Sequence, residues 1–115
     1  MSQEYKIVLY KTQRGSKIIE NYIDDQNSST KTKIVNIFRL LREYGFNLLK
    51  THWMKKIHSH PALYELRVKS INEYRFMLVY HENIFTILSG FVKKTQKTPK
   101  EEISLAIKRY KEFCC

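Results

Sequence analysis

Apolar residues in the first half of the chain recur every three or four positions, and in the second half they recur every second position. The change of period divides the chain into a helical part and a sheet part. Residues 4–10 alternate weakly and hold Tyr5, Ile7 and Val8, which predicts a first strand. Gly15 and Ser16 then open a short helix with Ile18, Ile19, Tyr22 and Ile23 on one face. A polar break over 25–29 follows, and Ser29 or Thr30 is placed to cap a longer helix. Its stripe is Ile34, Ile37, Phe38, Leu41 and Tyr44, and Gly45 ends it.

From Met54 onward the pattern is that of strands. A short strand over 54–58 precedes Pro61 and a clearer one over 63–69. There Tyr64, Leu66 and Val68 point one way, and Glu65, Arg67 and Lys69 the other. A tight connection over 70–73 leads to the almost wholly apolar run 74–81, the composition of a central strand covered on both faces. Glu82 and Asn83 turn the chain into a last strand over 84–93. The sequence Thr98-Pro99-Lys100-Glu101 reads as a capping box with Thr98 at the cap, Pro99 first in the helix and Glu101 closing the pair of bonds. Ile103, Ala106, Ile107, Tyr110 and Phe113 form the stripe of that final helix. The expected fold is therefore α+β: an N-terminal strand and two helices, an antiparallel meander of three to four strands, and a C-terminal helix. The first two helices cover one face of the sheet, and the last packs at its edge or on its other face.

At 115 residues the chain is one domain, 1–115, with one modest core. Only three Gly and two Pro leave little room for linkers, and no apolar run is long enough for a bilayer. The start of the chain lacks the apolar stretch of a signal peptide, so a cytoplasmic protein is expected. Cys114 and Cys115 are adjacent and terminal, a pair that closes no useful loop. They read as the end of a frayed tail in a reducing compartment.

Charge sharpens the picture. The net value is +10, and it is uneven. Residues 50–100 carry ten Lys or Arg against Glu65, Glu73 and Glu82, whereas residues 101–115 are balanced. A concentration of cations in one stretch is the footprint of a polyanionic partner. Neither a glycine-rich phosphate loop nor a zinc-type Cys/His cluster occurs, and the carboxylates are too scattered for a magnesium site. His58 and His60 could face the same way, but without a third ligand they read as a solvated basic edge, so no metal site is expected.

The remaining candidates are cations. Arg67 lies on the polar face of its strand, Arg75 follows across the hairpin, and Lys93, Lys94 and Lys97 emerge where the last strand meets the capped helix. Such a cluster can bind a phosphodiester and stabilise the extra charge of a pentavalent transition state. RNA brings its own nucleophile, the 2′-hydroxyl, so the protein need only align, deprotonate and neutralise. The hairpin register decides whether this works. An even sum of paired residue numbers puts Arg67 and Arg75 on one face, and an odd sum puts them on opposite faces. The blander reading has each residue as a solvated or salt-bridged cation, with Arg67 paired to Glu65.

The segments Tyr64-Glu65-Leu66-Arg67, Glu73-Tyr74-Arg75-Phe76 and above all the run from Leu88 to Pro99 resemble the HigB-type, phage-derived branch of the RelE/ParE toxin superfamily. The resemblance implies the compact RelE-like fold and the toxin of a type II toxin–antitoxin module. It further implies a ribosome-dependent mRNA endoribonuclease that uses no metal and no cofactor. The implied partners are mRNA, the ribosome and a helix-turn-helix antitoxin, which binds the toxin in a hetero-oligomer, expected as a heterotetramer, and brings it to operator DNA. By the resemblance Arg67 contacts the scissile phosphate, Arg75 matches the arginine of the next strand, and Lys94 and Lys97 supply further cations. His58 matches a histidine of some HigB enzymes, and the general base falls to His58 or to a lysine. The catalytic tyrosine of some relatives has no counterpart, since Tyr110 lies on the apolar face of its helix. Lys55, Lys56, Lys69, Lys93 and Lys100 are expected to hold RNA. Two other activities fit the same fold, a ParE-like topoisomerase poison without nuclease activity and a basic module that only binds nucleic acid or protein.

Overall fold

The computed structural model describes residues 4–94 and 97–114, with the side chains of Phe113 and Cys114 outside the described set. The elements run β1 (Lys6–Leu9), α1 (Ile18–Asp24), α2 (Ser28–Tyr44), a 3-10 helix (Gly45–Lys50), β2 (Met54–Ser59), β3 (Ala62–Lys69), β4 (Glu73–His81), β5 (Ile84–Val92) and α3 (Lys100–Cys114). This is the expected α+β arrangement, consistent with a RelE-like fold. The five strands form one sheet in the order β1-β5-β4-β3-β2. β2 to β5 are the antiparallel meander, and β1 joins its far edge parallel to β5.

The alternation in β3 sorts the sheet into two faces. Leu66 pairs with Phe76, and Phe76 with Gly90, on the face covered by α1 and α2. There the Phe76 ring meets Phe38 of α2 edge-on at 5.3 Å and Tyr22 of α1 at 6.3 Å. Gly90 makes this approach possible, because a Cβ there would come within 2.7 Å of the Phe76 ring and 3.1 Å of Tyr22. Glu65, Arg67, Arg75 and Met77 lie on the other face. α3 crosses that face, starting beside Glu65 and ending beside Tyr10, whose hydroxyl donates to Glu112. Arg109 secures the crossing by donating to the Leu88 carbonyl at 2.7 Å and lying over the Tyr10 ring. β4, sandwiched between the two layers, is buried from Tyr74 to Val79, as a strand covered on both faces must be.

Several boundaries differ from the sequence reading, each for a local reason. The cap of α2 is Asn27, whose side chain accepts from the Thr30 amide at 2.9 Å. Thr30 is fully buried and shares its hydroxyl with Ser70 at 2.8 Å, so it ties α2 to the β3–β4 turn instead. α1 begins at Ile18 with no side-chain cap. α2 ends at Tyr44 as expected, but Gly45, at φ 53°, leads straight into a 3-10 helix that the apolar pattern does not predict. α3 starts at Lys100, with the Pro99 carbonyl accepting from the amides of Glu102 and Ile103. Pro99 thus takes the cap position rather than the first helical one, and the Thr98 hydroxyl is given to Glu65. The Glu82-Asn83 turn is confirmed by positive φ at both residues, the backbone of a tight two-residue hairpin. The expectations for Phe113, Cys114 and Cys115 as side chains lie outside the described residues. Among the described residues no helix is long and apolar enough to cross a membrane.

Candidate functional site

The β3–β4 register pairs Arg67 directly with Arg75, so both guanidinium groups leave the same face of the sheet. Two like charges opposite one another repel, and the chain answers with Glu65, two residues before Arg67 on the same face. Glu65 is 2% exposed. Its Oε1 accepts from Arg67 Nε at 3.3 Å and lies 3.4 Å from Arg75 Nε, close enough for charge attraction although off the line of a hydrogen bond. Its other oxygen accepts from the Thr98 hydroxyl. One buried carboxylate therefore holds both arginines and the start of α3.

The two arginines differ in what they offer. Arg75 is buried, and Glu73 takes its Nη2 at 3.2 Å. Arg67 is half-buried with its side chain 29% exposed, and its Nη1 reaches the His52 carbonyl at 3.5 Å. It stands as a wall between two clefts. The smaller, about 320 Å³, is lined by Lys55, Lys56, Ile57, Glu65, Lys97, Thr98 and Ile103 besides Arg67. The larger, about 520 Å³, opens where β2 stops short of the end of β3, and α2 and residues 52–53 complete it. A solvent-reaching guanidinium with cations on either side is suited to a bridging phosphodiester.

A family model described as phage-derived protein, Gp49-like, matches residues 21–111, which runs from within α1 into α3 and leaves out β1. The chain belongs to the Gp49-like family. That family is RelE/HigB-like in type. No curated protein matches the chain.

Within this Gp49-like chain the sequence-predicted residues fall into two groups. Arg67, Arg75, Lys55, Lys56, Lys69 and Lys97 line one or both of the clefts that meet at Arg67. Lys93, Lys94 and Lys100 line neither; Lys93 holds the end of β5 to β4 through its amide, which donates to the Glu73 carbonyl at 2.7 Å, while Lys94 and Lys100 are exposed. His58 is also apart. It pairs with Leu63, four residues from Arg67, about 13 Å along the strand at the usual rise. Its Nδ1 is engaged with the Pro61 carbonyl at 2.9 Å.

Sequence reading of the Gp49-like chain paired Glu65 with Arg67, as observed, but missed that the same carboxylate also faces Arg75, along with Lys33, Asn36, His52 and Trp53 in the larger cleft. A signal for two of them was present. Lys33, Asn36, Ile37 and Leu40 have the i, i+3, i+4, i+7 spacing of a second helical stripe, and all four line the cleft.

Proposed function

We propose that the protein is the toxin of a type II toxin–antitoxin module and cleaves mRNA on the ribosome. The observation that carries this reading is the placement of Arg67, half-exposed between two cationic clefts and backed by a buried carboxylate. Its Gp49-like membership supports the toxin assignment. In the reaction the 2′-oxygen attacks the adjacent phosphorus while the bond from phosphorus to the 5′-oxygen breaks. The products are a 2′,3′-cyclic phosphate and a 5′-hydroxyl. Arg67 neutralises charge on the non-bridging oxygens, a role in which one well-placed donor matters greatly. Arg75 acts by fixing the charge balance behind it. The 5′-oxygen leaves with a proton from an ammonium of the smaller cleft, Lys55 or Lys97, which share that cleft with Arg67 whereas His58 does not, and the 2′-proton passes to solvent. The basic surface around the clefts holds ribosomal RNA, and a helix-turn-helix antitoxin neutralises the toxin in a heterotetramer.

The test is brief induction in cells followed by mapping of mRNA 5′ ends. The native protein should arrest growth and produce new internal ends. Arg67→Ala should lose roughly two to three orders of magnitude in cleavage, as removal of a charge-stabilising donor does elsewhere. Intact mRNA after induction of the native protein, or undiminished cleavage by the variant, would refute the proposal. DNA damage with intact mRNA would point to the topoisomerase-poison alternative.

A further inference from the structure

The larger cleft contains more than a phosphate needs. Its floor is apolar, made by Ile37, Leu40 and Val68, and Trp53 stands half-buried at its side. The Trp53 backbone is fixed beside the key arginine, since the Arg67 amide donates to the Trp53 carbonyl at 2.7 Å, and its ring lies 5.2 Å from that of His52. Asn36 also lines the cleft, and its Oδ1 accepts from Arg39 Nη2 at 2.8 Å, so its NH2 group is the part of the amide left to donate. A bare phosphate gains nothing from a hydrophobic floor, and an aliphatic carboxylate gains nothing from a flat indole. A nucleotide uses all three features: a planar base with apolar faces, acceptor atoms on its edge, and a phosphate one bond network away. About 520 Å³ is within the usual size of small-molecule clefts, ~300–1,000 Å³.

We infer that this cleft is a nucleobase pocket in which Trp53 stacks one unpaired base of the RNA whose phosphate Arg67 holds, with Asn36 donating to an acceptor on the base edge. The inference rests on the RNA-cleaving reading above and adds to it the place where a base is gripped. Unpaired bases splayed from a strand are commonly held in this way, between an aromatic face and a polar edge reader.

Trp53 is the single tryptophan of the chain, so its fluorescence reports the pocket directly. Purified protein is titrated with an end-labelled single-stranded oligoribonucleotide, with an abasic strand of the same length, and with an acidic peptide. Indole emission and label anisotropy are read together. The ribonucleotide strand should bind and quench the emission, and the abasic strand should bind more weakly and leave it unchanged. Trp53→Leu should weaken ribonucleotide binding roughly tenfold, Trp53→Phe by less than about threefold, and neither should alter binding of the abasic strand. Trp53→Phe keeps a ring at the side of the cleft, so a folding defect in the leucine variant does not hide the answer. Equal quenching by the abasic strand, no quenching by the ribonucleotide, or unchanged affinity in Trp53→Leu would overturn the pocket. Quenching by the acidic peptide alone would reassign the cleft to a protein partner. mRNA cleavage in cells with unquenched Trp53 would sink the pocket and spare the nuclease; quenching with intact mRNA would do the reverse.

Discussion

Replacing Glu65 by Gln should cost about 3 kcal/mol of stability, and the size follows from what the carboxylate touches. The substitution preserves volume and an acceptor for the Thr98 hydroxyl but removes the charge that faces Arg67 and Arg75. Arg67 can turn toward water, because its side chain is 29% exposed. Arg75 cannot, with a side chain only 6% exposed. Stripping one partner from a buried ion pair costs about 3–5 kcal/mol, since an uncompensated charge is left behind. Glu73 stays within 3.2 Å of Arg75 but is itself 47% exposed, so it offsets only part of the loss and places the figure near the lower end of that range. Urea unfolding is the assay. With a slope of roughly 1–3 kcal/mol per molar, the midpoint should fall by about 1–3 M at unchanged slope. A cycle with Arg75→Met isolates the pair: the double variant should be at least about 2 kcal/mol more stable than the sum of the single losses predicts, because it buries no unpaired charge. A midpoint within about 0.3 M of the native protein, or additive losses in the cycle, would show that Glu65 is not what holds Arg75 in the interior.

Three further outcomes follow from other parts of the molecule. Gly90→Ala should destabilise by about 1–3 kcal/mol in the same urea assay, as overpacking against the fully buried Phe76 and the partly buried Tyr22 requires. The Tyr10 phenol is held above its usual value of 10.0 by its hydrogen bond to Glu112, then by burial and the charge of Glu112, against the opposing influence of Arg109. A raised folded value means stability that is present below about pH 10 and lost as pH rises through the folded pKa. Glu112→Gln should therefore lower the Tyr10 midpoint in an ultraviolet titration and soften the alkaline loss of stability; an unmoved midpoint would refute the assignment. Binding of a short RNA should weaken steeply with salt, and Lys55→Ala or Lys97→Ala should each lower the slope of log affinity against log salt by about one unit.

The parts of the fold that were legible in the sequence are those fixed by period. β4 reads as doubly covered because it has no polar residue between Phe76 and Tyr80, and α2 announces itself through Ile34, Ile37, Phe38 and Leu41. The parallel join of β1 to β5 was not legible, because pairing between distant segments leaves no mark on either one alone. The even register that brings Arg67 opposite Arg75 could be stated as a condition but not decided, since a one-residue change in the turn would reverse it. Glu65 misled for a related reason. Alternation places it with Arg67 and Lys69 on a polar face, and only the arrival of α3 over that face turns an apparently solvated carboxylate into a buried one. Gly90 was visible as part of a family-like run, and its reason, the ring of Phe76, becomes visible only when β4 and β5 are side by side.

On the proposed toxin reading, the sharing of one carboxylate oxygen by two guanidinium groups bears on how loss-of-toxicity alleles at this place are to be interpreted. Deleting either arginine leaves Glu65 with one cation fewer, so such an allele weakens the scaffold as well as the chemistry. Survival of cells carrying it reports both at once. A substitution that keeps the positive charge but loses the planar fork, Arg67→Lys, separates the two, and a melting curve belongs beside every growth curve.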